Sequence, residues 1–194
     1  MFITTKCRID NCLQPGAAGT GLCVNHNKKI DAVSRNKQKA LSTDRNFADA
    51  DFSYLSFAGL DFRNKIFTRC NFSSADFNEC DFSGASLSMC FFDYNNLSLC
   101  NFKEVKILNS VFAGSEITSC DFTGSDLITC NFNGCIINSA HFDESDLYYS
   151  RFINAFLEDV TFIDCNLKRV DFNGITQKNV IYKYSNTEEA YFSR

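Results

Sequence analysis

Large apolar residues recur at every fifth position through most of the chain. From Phe47 to Phe172 there are 26 consecutive positions spaced five apart, and each is Phe, Leu or Ile. A helix repeats every 3.6 residues and a strand every two, so neither produces this spacing. The pattern predicts a coil built from five-residue units, because an internal repeat of this length defines the architecture before any single element is assigned.

A second set of positions lies two residues before each large one. From Ala50 to Val170, 21 of these 25 residues are Cys, Ser, Ala or Val. The residue between the small and the large position is usually Asp or Asn. The unit is therefore small–polar–large–x–x. It predicts that the large side chains fill the axis of a coil and that the small ones lie under its corners.

The segments ADFNE (75–79), CDFSG (80–84) and CDFTG (120–124) resemble the A(D/N)LXX motif of the pentapeptide-repeat family. The resemblance implies an all-β fold, a right-handed quadrilateral parallel β-helix with four repeats and twenty residues per coil. A step of twenty also sorts the large residues into walls. Two opposite walls are Phe, and from Leu87 onward the other two hold only Leu and Ile.

The pattern divides the chain into four segments: a head at 1–26, a basic linker and capping helix at 27–44, the β-helix at 45–174, and a C-terminal cap at 175–194. In the family such tails often mediate head-to-head dimers, so the resemblance implies a homodimer through 175–194. The helix at 27–44 has two candidate roles. It covers the apolar end of the first coil, or its five Lys and Arg residues contact nucleic-acid phosphate.

The head carries a pattern that suits a tetrahedral metal site, Cys7-x4-Cys12-x10-Cys23-x2-His26. Two close pairs of soft or borderline ligands are typical of structural zinc. The segment resembles the zinc knuckles found beside phage and bacterial nucleases. The alternative is three free thiols in a disordered leader. The other eight Cys all occupy small positions, which indicates buried hydrophobes; the alternative there is a metal site or redox relay inside the shaft.

Charge is distributed unevenly along the chain. Residues 1–44 carry a net charge of +4 and residues 45–174 carry −9. Asp61, Asp81 and Asp121 are predicted to stack on one wall, where a regular acidic rod can imitate DNA phosphate. In the family this implies DNA gyrase or topoisomerase IV as a partner. The chain departs from the quinolone-resistance type, because no loop interrupts its coils.

The slot before the large residue is apolar at a few places. Phe91 and Val111 are predicted neighbours on one wall, and Ile136 and Phe156 on the next. Exposed apolar side chains that line up usually mark an interface. We expect these four residues to bind a protein partner.

These patterns predict a non-enzymatic binding protein, because the chain shows no nucleophile–base pair and no phosphate-binding loop. The rigid acidic rod would engage a protein partner, with DNA mimicry as one form of that function. One alternative is a zinc-knuckle nucleic-acid adaptor that uses the rod as a spacer. Another is a scaffold or effector that binds a host protein. Without a secretory pattern or a run long enough to span a membrane, we expect a cytoplasmic protein with reduced thiols and no disulfides.

Overall fold

The computed structural model describes residues 6–192. Among them are one α-helix, a short 3₁₀ turn at Thr187–Glu189, and twelve strands of three residues each. The helix α1 spans Ile30–Thr43. The strands are β1 (Asn46–Ala48), β2 (Ser56–Ala58), β3 (Ile66–Thr68), β4 (Asp76–Asn78), β5 (Ser86–Ser88), β6 (Asn96–Ser98), β7 (Lys106–Leu108), β8 (Glu116–Thr118), β9 (Asp126–Ile128), β10 (Ile136–Asn138), β11 (Phe156–Glu158) and β12 (Thr176–Lys178).

The strands form a four-sided parallel coil. Residues pair with residues twenty positions later, as in Ile66↔Ser86. Face A holds β1, β3, β5, β7 and β9, and face C holds the other seven strands. Single parallel bridges join the coils on the two remaining faces, from Asp51 to Tyr191 on face B and from Asp61 to Ile181 on face D. The predicted quadrilateral β-helix is confirmed, with about seven turns.

Stacked Phe rings fill the shaft of the coil. Consecutive rings on faces B and D, from Phe52 to Phe172 and from Phe62 to Phe162, stack with centroids 4.3–5.1 Å apart. Rings of the two faces meet edge to face, as Phe122 and Phe132 do at 6.4 Å. Both arrangements are favourable for aromatic pairs. In the first coils faces A and C also carry Phe, and from Leu87 they are aliphatic and fully buried.

The small positions lie under the corners and donate hydrogen bonds to the coil below. The Cys80 thiol is 3.5 Å from the Phe57 carbonyl oxygen, and the Ser125 hydroxyl donates to the Phe102 carbonyl oxygen at 2.7 Å. Cys and Ser therefore form the same hydrogen bond at this position, with Cys as the weaker donor. Burial raises the pKa of the Cys130 thiol to about 12. The Cys130 thiol is therefore structural and poorly suited to act as a nucleophile.

The first coil is covered by α1. Leu41 is 2% exposed and belongs to the hydrophobic core, and Ile30 and Val33 pack against it. At the other end the coil continues past residue 174, where the five-residue pattern becomes irregular. β12 pairs with β11, and Tyr182 stacks on Phe162 at 5.3 Å in place of the next Phe. The four-segment division stays a prediction, but residue 174 does not end the coil.

In the part of the chain that the structure describes, no helix has both the length and the apolar character needed to cross a membrane.

Candidate metal centre and candidate binding faces

The four residues predicted to bind metal lie together. Their ligand atoms all fall within 4.8 Å of one another. Nδ1 of His26 is 3.4 Å from Sγ of Cys7 and 3.4 Å from Sγ of Cys23, and the sulfurs of Cys12 and Cys23 are 3.9 Å apart. The four residues could hold one metal ion.

Two tight backbone turns bring these ligands together. Lys6 bridges Pro15, and the amide of Cys7 donates to the Gln14 carbonyl oxygen, so this segment is a small hairpin with Cys7 on its first arm and Cys12 at its turn. In the second turn the amides of His26 and Asn27 both donate to the Cys23 carbonyl oxygen, at 3.1 and 2.9 Å. Each turn therefore supplies one pair of ligands.

The donor set fits a tetrahedral ion. Metal–sulfur and metal–nitrogen bonds of about 2.3 and 2.0 Å place tetrahedral ligand atoms about 3.5–3.8 Å from one another. The three short distances in the cluster agree with that spacing. The pKa of the Cys7 thiol is lowered to about 6, mainly by the backbone amide of Cys23, with smaller contributions from the Ile9 amide and the His26 ring. Stabilised thiolate is the form that binds metal.

The head is attached to the first coil by a buried contact. The amide of Ala18 donates to the Ser53 carbonyl oxygen at 3.1 Å and lies 3.2 Å from the Ser53 hydroxyl. Ala17 and Ala18 are both buried. Asn27 continues the connection into the helix, because its side-chain oxygen accepts from the amide of Lys29. Head, helix and coil therefore contact one another.

The predicted acidic column is present but is partly neutralised. Asp61, Asp81, Asn101 and Asp121 form consecutive bridges along face D. Arg63 lies 2.7 Å from Asp61 and 3.8 Å from Asp81, and Lys103 lies 3.0 Å from Asp121. Sequence reasoning missed this pairing, although both basic residues directly follow the large position of the same face. The column carries less net charge than its aspartates alone suggest.

The four predicted apolar residues form two separate pairs. Phe91 and Val111 are bridged on face B, and Ile136 and Phe156 pair between β10 and β11 on face C. Ile136 is 44% exposed, while the other three are half-buried. The Tyr94 ring, which is 71% exposed, lies against Gly114 at the corner between these faces. A Cβ at Gly114 would come within 2.7 Å of that ring, so only glycine leaves room for it.

Another apolar column was missed from the sequence. Leu108 pairs with Ile128 between β7 and β9, and Tyr148 follows on the next coil of face A. These residues occupy the position after the large one, whereas the apolar residues predicted to bind a partner all occupy the position before it. Sorting that position by steps of twenty would have revealed the column.

The fold and its repeat define a β-solenoid protein with a small head whose Cys and His residues could hold a metal ion. A family profile described as "Pentapeptide repeats (8 copies)" matches residues 46–84, and one described as "Pentapeptide repeat region" matches residues 115–192. The chain belongs to the pentapeptide-repeat family. No curated protein matches the sequence.

Three solved structures are similar to parts of this chain. A pentapeptide repeat protein, Rfr23, from the cyanobacterium Cyanothece 51142 is 16% identical, with 77% of this chain and 99% of that chain covered and a TM-score of 0.46. HetL from Nostoc sp. strain PCC 7120, involved in heterocyst differentiation regulation, is 14% identical over 80% and 94% of the two chains, with a TM-score of 0.33. QnrB1, a plasmid-mediated fluoroquinolone resistance protein, is 19% identical over 72% and 75%, with a TM-score of 0.32. Such distant likenesses say nothing about the partner of this chain.

Proposed function

We propose that this chain is a non-enzymatic binding protein whose solenoid presents a rigid surface to a protein partner. Most positions of the repeat have a structural task, either filling the shaft or bonding one coil to the next. The observation that carries the proposal is the apolar pairs Phe91–Val111 and Ile136–Phe156, which stand next to each other in slots where the repeat usually places polar side chains. Aligned apolar side chains on a rigid scaffold favour association with another protein.

The test is affinity capture from bacterial lysate with the full chain as bait, read by mass spectrometry. The double variant Phe91→Ser/Phe156→Ser is expected to lose the captured protein while its circular dichroism spectrum is unchanged. Leu99→Ser is the matched control, because Leu99 is 54% exposed at a corner outside both pairs. A double variant that captures the same protein as the wild type would exclude these pairs as the site.

We propose that the cluster in the head binds structural zinc. Cys7, Cys12, Cys23 and His26 would supply four ligands, which leaves no open position for a substrate. Zinc would then stabilise a segment that has little core of its own. The contact between Ala18 and Ser53 is what would pass that stability to the first coil.

The nucleic-acid adaptor is the competing function for the head. Lys28, Lys29, Arg35 and Lys39 are exposed, on α1 or just before it. Deleting 1–44 is a poor test, since Leu41 belongs to the core. Changing these four residues to Gln in the full chain keeps the cap. Loss of nucleic-acid binding in that variant, with protein capture unchanged, would support the adaptor.

DNA mimicry is a second candidate, with gyrase or topoisomerase IV as targets. One observation favours it: within residues 6–192, the exposed Glu104, Glu144 and Asp164 form no ion pair. Mimicry predicts that the protein inhibits supercoiling by gyrase and that Lys at these three positions abolishes the inhibition. No effect of the wild-type protein on either enzyme would remove this candidate.

A homodimer through the C-terminal tail is a further proposal. Tyr184 is 73% exposed and Tyr191 is 55% exposed at the end of the coil. Sedimentation of the full chain beside Tyr184→Ser tests it, and a wild-type monomer at high concentration would contradict it.

A further inference from the structure

A half-open cleft of about 310 Å³ lies near the C-terminal end of the coil. Its lining is unusual for this surface, with two arginines, two tyrosines and one aspartate: Tyr149, Arg151, Arg169, Asp171 and Tyr191. Both tyrosines are more than half exposed. They offer aromatic surface together with hydroxyl donors.

The two arginines lack ionic partners in the part of the chain that the structure describes. Elsewhere on the coil, Arg63 and Arg69 each lie 2.7 Å from an aspartate. No such pair forms at Arg151 or Arg169 within residues 6–192.

The nearest coil-to-coil candidate for Arg169 is already engaged. Glu189 lies on the next coil, and its backbone carbonyl oxygen accepts a hydrogen bond from the Arg169 backbone amide. Its carboxylate, however, is held by Lys168 at 3.1 Å and by the Asn186 side chain at 3.1 Å. Asp171 in turn accepts from the amide of Asn173. Both guanidinium groups are therefore available to an anion from outside.

An apolar column leads to the cleft along the neighbouring face. Leu108, Ile128 and Tyr148 follow one another on successive coils, and Met89, 49% exposed, lies at the corner beside them. The rings of Tyr148 and Tyr149 have their centroids 6.0 Å apart, which joins the column to the cleft. At about 4.8 Å per coil, the column adds roughly 10 Å of apolar surface.

We propose that this surface binds a segment of a partner protein in which apolar side chains stand next to an acidic side chain. The apolar side chains would pack on Leu108, Ile128 and Tyr148, and the carboxylate would accept hydrogen bonds from Arg151 and Arg169. Arginine is the residue best matched to a carboxylate in such a contact. The inference rests on the proposed function and specifies the chemistry of the partner at one surface.

The observations favour a peptide carboxylate over a small phosphate ester. The cleft is at the lower end of the 300–1,000 Å³ range of small-molecule pockets and is half-open. The cleft has a formal charge of about +1, counted from its two arginines and its one aspartate, Asp171. A singly charged carboxylate matches that charge better than a dianion does.

The test selects peptides from a phage-displayed random 12-residue library against the immobilised full chain. The expected peptides carry apolar residues beside Asp or Glu. Their affinity, measured by fluorescence polarisation, should fall at least tenfold for Arg151→Gln/Arg169→Gln and for Ile128→Ser. Replacing the acidic residue of the peptide by its amide should weaken binding similarly. Arg63→Gln is the matched control, an exposed arginine on face D, and should leave affinity unchanged.

Several results would overturn the proposal: no enrichment, peptides without an acidic residue, or equal affinity for the double arginine variant. A full chain that self-associates, and becomes monomeric on Ile128→Ser, would instead identify a second copy as the occupant. The proposed function is judged separately. Lysate capture that survives Arg151→Gln/Arg169→Gln but is lost in Phe91→Ser/Phe156→Ser would sustain that function and reject this surface.

Discussion

The ammonium group of Lys37 lies 5.1 Å from the centroid of the Phe52 ring. Phe52 begins one of the two Phe stacks, so the contact marks the place where α1 covers the open end of the shaft. A cation over an aromatic face is favourable, and the lysine stem shields apolar surface while its charge stays near water. Leu41 completes the cover from the next turn of the helix, because its side chain enters the core.

We therefore expect Leu41→Ala to destabilise the protein by about 2–5 kcal/mol, the usual cost of truncating a buried leucine. Urea unfolding followed by circular dichroism measures it. Lys39→Ala on the same helix is the control, since Lys39 is exposed and Ala is a good helix former. A Leu41→Ala change of no more than about 0.5 kcal/mol, the range for surface substitutions, would mean that α1 does not stabilise the coil.

The metal centre predicts one zinc ion per chain. Cys12→Ser should abolish stoichiometric zinc in elemental analysis, because it removes one of four converging ligands. Cys130→Ser should keep the zinc and fold normally, since Ser occupies the same position at Ser110 and Ser150. Chelation should increase proteolytic cleavage between residues 8 and 25, because a bound ion would cross-link the two turns of a segment with little core of its own. A wild-type chain without metal, or Cys12→Ser with a full zinc complement, would contradict the site.

The core was predictable because its chemistry repeats. Each large side chain meets the same environment every twenty residues, so Phe over Phe in steps of twenty defines the coil and its two aromatic walls. The convergence of the four candidate metal ligands was predictable for a related reason. Cys7, Cys12, Cys23 and His26 are the residue types that zinc uses, and their close spacing in pairs restricts the turns that hold them.

The surface was less predictable, because an exposed side chain can pair with any of several neighbouring residues. Arg63 pairs with Asp61 at 2.7 Å and also lies 3.8 Å from Asp81 on the next coil, and no period in the sequence indicates these partners. The Leu108 column lies in a position that the repeat leaves variable. The continuation of the coil past residue 174 depends on Tyr182 and Phe192, which stack on Phe162 and Phe172 although Gln177 interrupts the series of large apolar residues.

Asn95 is a weak point of the small-position ladder. Its side-chain oxygen accepts from the Ala75 amide, but its Nδ2 is a buried donor without a hydrogen-bond partner among residues 6–192. At equivalent positions, as at Ser115, a serine both accepts from the amide on the coil below and donates to a Phe carbonyl oxygen. Asn95→Ser should therefore raise the free energy of unfolding by about 1–3 kcal/mol, the cost of an unsatisfied buried group.

Thermal and urea unfolding measure the effect of this substitution. Ser115→Ala is the matched control on the next coil, and it should destabilise the protein because it removes both bonds of an already satisfied hydroxyl. If Asn95→Ser is less stable than the wild type, the amide has a partner or a packing role that outweighs its unpaired donor.

The ion pair on face D predicts a dependence of stability on pH. Hydrogen bonds from the side chain and the backbone amide of Arg63 lower the pKa of Asp61 to about 2. The pKa of an unfolded aspartate is about 3.9, so the contribution is fully present above about pH 4 and is lost as pH falls towards 2. Arg63→Gln keeps the backbone amide but removes the charge. The wild type should therefore exceed Arg63→Gln in free energy of unfolding at pH 6, and the gap should narrow markedly by pH 2.5, since the contribution is lost as pH falls through the folded pKa. Because both side chains are more than half exposed, the gap should not exceed about 1 kcal/mol and should shrink in 500 mM salt.

Urea titrations of both proteins at pH 6, 4 and 2.5 measure this gap, with Arg151→Gln as a control that lacks an ion pair within residues 6–192. A gap between wild type and Arg63→Gln that is unchanged by pH would show that the Arg63 guanidinium does not lower the pKa of Asp61.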